Sequence, residues 1–252
     1  GDRMLTKLRY EGKPTFVFPI GTGPLRPAVE AIREFARFKG YPMTLRGITE
    51  AHREMLDKEY PGAFEYSEDV DCADYIYSAE KLSTYSGKAL HGKKNHCNRF
   101  EAEHDWDFVP LTRELIPGCL DMLNMWTEEN YARLDGSIHY EHDAIMRAFA
   151  VYEKLGLEGG VLRSGGKIIG FSMGEMAGRD TFDVHFEKAD IDINGAYPMV
   201  CRELTRMVMQ NHPELLYMNR EDDMGLESLR TSKLSYKPEF MVRKFTARMR
   251  DE

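Results

Sequence analysis

Hydrophobic and polar positions along the chain alternate between a two-residue and a 3.6-residue period, which is the mark of mixed strands and helices. In the first hundred residues, 15–20 is β-rich, 21–24 is a Gly/Pro turn, and Ala28, Ile32, Phe35, Ala36 and Phe38 follow helical spacing up to Gly40. A short strand at 43–46 precedes a helix capped by Thr49 that runs to Tyr60 and stops at Pro61-Gly62. Extended segments at 64–66 and 72–77 lead into a helix opened by Ser78, and the polar run 93–100 continues it. A fresh period-two strand at 106–111 starts the second half, followed by helices at 112–131 and 140–155. A hairpin then pairs 160–163 with 167–175 across Ser164-Gly165-Gly166. A strand at 181–188, a polar loop at 190–195, a long helix ending at His212-Pro213, a strand at 215–219, a helix at 225–233 and a strand at 240–245 complete the pattern.

The order β-α-α-β-β-β-α-β-α-β in the second half, with a hairpin beside a strand–helix–strand crossover, predicts an α/β protein with a mixed twisted sheet and helices on both faces. No repeat of 20–50 residues is present. The pattern predicts two domains, 1–103 and 104–252, the first shorter in elements than the second.

Charge and composition narrow the function classes. A net charge of −8 argues against DNA binding across the whole surface, because phosphate affinity is carried by Lys and Arg. One local basic stretch stands out: residues 82–100 hold no Asp or Glu but carry Lys88, Lys93, Lys94 and Arg99 with His91 and His96. No apolar run approaches the roughly 20 residues of a membrane-spanning helix, and no signal peptide is visible, so the expected location is the cytoplasm. The four cysteines, Cys72, Cys97, Cys119 and Cys201, lack Cys-x-x-Cys spacing and read as free thiols. Cys97 is the one placed among cations that could lower its pKa. The eight histidines show no metal-ligand pattern, and none is assigned to a metal.

Several segments carry candidate chemistry. Asn194, Gly195, Ala196 and Tyr197 form a loop-to-helix junction whose backbone N–H groups suit a phosphate. The same residues also read as a capped helix, and Asp190 and Asp192 disfavour an anion there. His185 and Glu187, two apart on a strand, are expected on one face, as base or amine binder, or else as a solvated polar edge. Asn219, Arg220, Glu221 and Asp222 end a strand, where ligand clefts commonly form; they also suit an acidic turn before a helix. Lys94, Asn95, His96 and Asn98 are expected to contact substrate phosphate, or to be a solvated helix face.

Taken together, 93–100 (Lys-Lys-Asn-His-Cys-Asn-Arg-Phe), 185–190 (His-Phe-Glu-Lys-Ala-Asp), 195–198 (Gly-Ala-Tyr-Pro), 219–225 (Asn-Arg-Glu-Asp-Asp-Met-Gly) and 229–238 resemble the bacterial family related to the C-terminal domain of phosphatidylglycerol lysyltransferases. The second half also resembles the GNAT acyltransferase fold in element order. The resemblance implies two GNAT-like domains, as in Fem-type aminoacyltransferases, the first incomplete. It implies transfer of an acyl or aminoacyl group to an amine or hydroxyl, with acyl-CoA or aminoacyl-tRNA as co-substrate, tRNA as a partner on the aminoacyl branch, and no tightly bound cofactor. His185, Glu187 and Asp222 are then the catalytic candidates; Asn194–Tyr197 with Arg230 and Lys233 would meet the donor. One departure is visible: Arg230 or Thr231 stands where acetyl-CoA-using GNAT enzymes carry a Tyr that protonates the leaving thiolate. The alternative is a ligand-binding protein that keeps the GNAT fold without turnover.

Overall fold

One central strand, Thr181–Ala189, pairs on one side only through its first three residues, Thr181–Asp183. The computed structural model describes residues 2–10, 12–130 and 137–250, with backbone alone for 129–130 and 137–139. Tyr131, the expected end of the helix, lies outside the described residues.

The chain divides into two units. The first comprises Gly1–Asp74, Asp222–Arg230 and Met241–Glu252. Its sheet orders the strands Lys7–Tyr10, Lys13–Val17, Thr44–Ile48, Phe245–Met249 and Phe64–Glu68. Lys13–Val17 and Thr44–Ile48 are parallel, joined by the helix Leu25–Lys39, whose Val29, Ile32 and Ala36 are buried with Leu45, Ile48 and Leu56. Gly40 ends that helix at φ 72°, the left-handed C-cap that glycine adopts without strain. Thr49 caps the next helix, Glu50–Glu59, and the His52 side chain bonds back to the Thr49 N–H.

The units do not part at residue 104. Phe245–Met249 inserts between Thr44–Ile48 and Phe64–Glu68, antiparallel to both, so the end of the chain belongs to the first sheet. The single strand expected at 240–245 is two, Phe240–Val242 and Phe245–Met249. Pattern along a sequence shows that a strand exists but not which distant edge accepts it.

The second unit comprises Tyr75–Glu221 and Thr231–Phe240. From one edge inward its sheet orders Asp74–Ser78, Tyr217–Asn219, Thr181–Ala189, Lys167–Met176, Glu158–Ser164 and Trp106–Pro110, with Phe240–Val242 beside the first. Thr181–Ala189 and Tyr217–Asn219 are parallel, and the crossover is the helix Ala196–Asn211. Tyr217–Asn219 with Asp74–Ser78, Thr181–Ala189 with Lys167–Met176, Lys167–Met176 with Glu158–Ser164, and Glu158–Ser164 with Trp106–Pro110 are antiparallel, so the sheet is mixed as the pattern predicts.

Each face of this sheet has its own core. On one, Phe182, Val184 and Ala189 pack with Met199, Val200, Leu204 and Val208 of the crossover helix and with Cys97 and Phe100 of the helix His91–Glu103. On the other, Phe171 and Met173 pack with Cys119 and Leu123 of Ile116–Asn130 and Ile145 and Phe149 of Ser137–Ala150. Cys97 is fully buried, and burial pushes its thiol up to about 12. The surrounding cations therefore do not activate it.

The central strand changes face along its length. Gly174 pairs with Val184 while Met173 pairs with Phe186, so His185 is an extra residue without a counterpart. Such a bulge flips every side chain beyond it. Before it, Phe182 and Val184 point to the crossover-helix core; after it, Phe186 packs against the opposite core and Ala189 takes the first. Gly174 permits this approach: a Cβ there would lie 1.9 Å from the Asp183 carbonyl oxygen and 2.8 Å from the Phe182 ring. Gly174→Ala is expected to lower stability by about 1–3 kcal/mol through overpacking, read as a fall in the urea midpoint at unchanged slope.

Candidate active site

Thr181, Phe182 and Asp183 pair with Tyr217, Met218 and Asn219. Beyond Asp183 the central strand continues to Ala189 while its parallel neighbour stops at Asn219. The sheet therefore splits, and the residues after Asn219 turn across the gap.

Arg220 is the first of these. Its Nη2 donates to Glu187 Oε1 at 2.6 Å, and the two side chains are 13% and 10% exposed. The guanidinium lies 4.5 Å from the centre of the Tyr236 ring and 5.7 Å from that of Tyr77, both buried. Nη1 is buried with no hydrogen-bond partner among the described residues. Lys93, from the helix His91–Glu103, places its ammonium 3.8 Å from the centre of the Tyr236 ring. Burial first, and the Arg220 guanidinium second, hold the Lys93 pKa below its ordinary value. Lys93 and Arg220 thus both lie over the Tyr236 ring, Glu187 accepts from Arg220, and the Arg220 Nη1 donor is unspent among the described residues. Cys201, also in this region, is no nucleophile at neutral pH, because burial pushes its thiol up to about 11.

The loop is held from behind. Lys233 Nζ donates to the carbonyl oxygens of Arg220 and Glu221, and the Tyr77 hydroxyl donates to the Lys233 carbonyl at 2.9 Å. Asn219 Oδ1 accepts the Glu221 N–H at 2.9 Å, and Glu221 sits at φ 54°, a conformation that costs a non-glycine residue energy unless its surroundings impose it.

Glu221 and His185 meet on the other face of the sheet. His185 Nδ1 is 3.0 Å from Glu221 Oε1 and its Nε2 is 3.2 Å from Glu175 Oε1. Glu175 stands directly opposite Asp183 in the antiparallel pair. The hydrogen bond with Glu221 raises the His185 pKa to about 9; burial opposes this, and Glu175 and Asp183 add to it. His185 is therefore protonated at neutral pH and not a ready general base. A cavity of about 270 Å³ adjoins it, walled by Ala148, Leu155, Leu157 and Phe186.

The expectation that His185 and Glu187 share a face is thus corrected: the bulge at His185 puts them on opposite faces. The other candidates fall as follows. Gly195 lies against the helix His91–Glu103, where an added Cβ would be 2.6 Å from the His96 carbonyl oxygen. His96 Nδ1 is 2.7 Å from Asn194 Oδ1. Ala196 is fully buried, and Tyr197 is half-buried against the crossover-helix core. Lys94, Asn95 and Asn98 are exposed. Arg230 is engaged by Asp223 and Asp71 within the first unit, and Lys233 serves the loop carbonyls. Asp222 also belongs to the first unit, its Oδ1 accepting the Met224 N–H at 3.1 Å. Sequence reading placed Lys93 in a basic stretch toward phosphate, not over Tyr236, and did not assign Tyr77 and Tyr236 to the site, nor Asp183 and Glu175 beside His185; Gly174, which pairs with Val184 next to the bulge, is the local signal of it.

Residues 1–248 match the family described as phosphatidylglycerol lysyltransferase, C-terminal. The chain belongs to that family. A conserved protein of unknown function from Bacteroides thetaiotaomicron VPI-5482 is 34% identical, with TM-score 0.92 over 99% of this chain and 83% of that one. The L-PGS structure from Bacillus licheniformis superimposes with TM-score 0.68 at 16% identity, over 100% of this chain and 82% of that one. An uncharacterised Mycoplasmoides gallisepticum protein is 28% identical over 179 residues, 70% of this chain and 56% of its own length, so the match spans little more than half of that relative. FemX, at TM-score 0.63 and 9% identity over 97% of this chain and 83% of that one, and a tandem GNAT protein from the clavulanic acid pathway, at 0.52 and 9% over 99% and 80%, share the fold. This member of the phosphatidylglycerol lysyltransferase C-terminal family is therefore a mixed α/β protein with the GNAT-like fold of those structures. No helix among its described residues is long and apolar enough to cross a membrane.

Proposed function

We propose that this protein transfers an aminoacyl group from aminoacyl-tRNA to an amine or hydroxyl acceptor, with the reacting carbonyl beside Arg220. The observation that carries this is the unspent Nη1 donor of a guanidinium already fixed by Glu187 and two aromatic rings. Acyl transfer passes through a tetrahedral oxyanion, and a preorganised cation in a largely dry site stabilises that charge without reorganising. Lys93, whose pKa burial lowers, in its deprotonated form takes the proton from the attacking group and returns it to the departing ribose oxygen. Glu187 positions Arg220.

Two observations favour an aminoacyl ester over acyl-CoA. The Asn194–Gly195 junction, where a pyrophosphate would approach, is packed under the helix His91–Glu103. Arg230 and Lys233, the other donor candidates, are engaged inside the protein. The exposed Lys94 and Arg99 on that helix suit the phosphates of an acceptor stem. The family description, which names a lysyltransferase acting on a phosphatidylglycerol, supports the same reaction class and a hydroxyl acceptor.

The test is transfer of radiolabelled amino acid from aminoacyl-tRNA to amine and glycerol-type acceptors, with acetyl-CoA in parallel. Transfer from the ester alone is expected; transfer from acetyl-CoA alone overturns the donor assignment. Because Lys93 must be neutral to act, the rate is expected to rise with pH along a limb whose apparent pKa lies below 10.5. Lys93→Met is expected to flatten that limb in a pH–rate profile; a limb that persists moves the base elsewhere.

A further inference from the structure

We propose that Asp183, His185 and Glu221 form a binding site for a divalent first-row transition-metal cation, such as zinc, on the face of the sheet opposite Arg220. One ligand atom from each of these residues can be placed within 4.8 Å of the others. Ligands at about 2.0–2.2 Å from a metal lie about 3–4 Å apart, so small rotamer adjustments close the set. Two carboxylates and one imidazole match the charge and hardness of a zinc- or manganese-type ion; magnesium, which keeps its waters and prefers oxygen, matches less well.

The donors come from fixed backbone. Asp183 lies just before the bulge of the central strand and His185 is its extra residue. Glu221 is held by its positive φ and by the Asn219 side chain. The fourth group gives the arrangement its direction. The metal would displace the Nδ1 proton of His185, releasing it to solvent, and Nε2–H then donates to Glu175, 3.2 Å away. A carboxylate on the far nitrogen is the arrangement that fixes tautomer and ring orientation in metal-bound histidines. Three protein ligands leave further coordination positions open, and His185 and Glu221 line the cavity of about 270 Å³, roomy enough for water or a small anionic ligand.

The metal would bridge the central strand to the residue that follows Arg220. It would therefore tie down the loop that presents the guanidinium on the other face. The site itself is argued from its own donors and does not rest on the proposed transfer.

The experiment is calorimetric titration of the whole, chelator-dialysed chain with zinc chloride, manganese chloride and magnesium chloride, together with a cobalt titration followed by absorption. Expected are one zinc per chain, weaker manganese, no magnesium saturation, and cobalt ligand-field bands. His185→Gln is expected to weaken zinc by more than tenfold and to remove the cobalt bands. Glu175→Gln, at a more exposed position, should keep the fold and weaken zinc about 10–100-fold, as loss of an outer carboxylate does. No stoichiometric zinc, or zinc binding unchanged in both variants, overturns the proposal.

Discussion

Arg220→Ala is expected to lower the single-turnover rate of transfer by about 10²–10³-fold, the loss typical of removing one donor to a developing oxyanion. The guanidinium is fixed on three sides, by Glu187 at 2.6 Å and by the rings of Tyr236 and Tyr77, so its buried, unpaired Nη1 donor points in a direction set by the fold. Arg220→Lys is expected to recover little. An ammonium is a point charge on a flexible stem, and it cannot hold Glu187 with one nitrogen while offering another at a fixed angle. The loss should appear mainly in the rate at saturating donor, because an interaction made in the transition state lowers kcat and kcat/KM together. Melting temperatures of each variant separate this from unfolding. If the folded Arg220→Lys protein keeps more than about a tenth of the rate, the reaction centre lies elsewhere.

Much of this arrangement was legible in the sequence because it depends on local rules. The hairpin Glu158–Ser164 with Lys167–Met176 is announced by its Gly-Gly turn, and the crossover helix Ala196–Asn211 by its apolar spacing. Glu187, Arg220 and Glu221 were each singled out from their strand and strand-end positions. What local rules could not supply is pairing across distance. The two-residue period put His185 and Glu187 on one face, and one bulged residue separated them. The His91–Glu103 helix read as a basic surface, yet Lys93 turns inward over Tyr236 while its neighbour Lys94 is exposed. Tyr236 read as a packing aromatic and is one, but the rings it offers to Arg220 and Lys93 make it part of the site. The metal donors escaped for a related reason. Asp183 and His185 are adjacent in pattern, but Glu221 and Glu175 reach them only through the parallel crossover and the antiparallel register.

Glu187→Ala is expected to destabilise the fold by about 3–5 kcal/mol, because removing one partner of a buried ion pair leaves the other charge uncompensated. The pair is nearly as enclosed as an interior residue, at 13% and 10% exposure, so solvent screening gives little relief. For a chain of this size the melting temperature should fall by about 6–20 °C. Replacing both partners with apolar residues of similar volume is a different perturbation. The double variant Glu187→Leu, Arg220→Met strands no charge and places aliphatic groups against Tyr77, Tyr236 and the crossover-helix core. It should regain most of the lost stability, as apolar replacements of buried pairs often do. It should not regain transfer, since the donor to the oxyanion is gone. A thermal melt and a single-turnover assay on the three proteins decide the matter. Stability restored without activity means that the pair is kept for what its guanidinium does to substrate. Stability lost in the double variant as in the single one means that the pair holds the split sheet together, and its role is architectural.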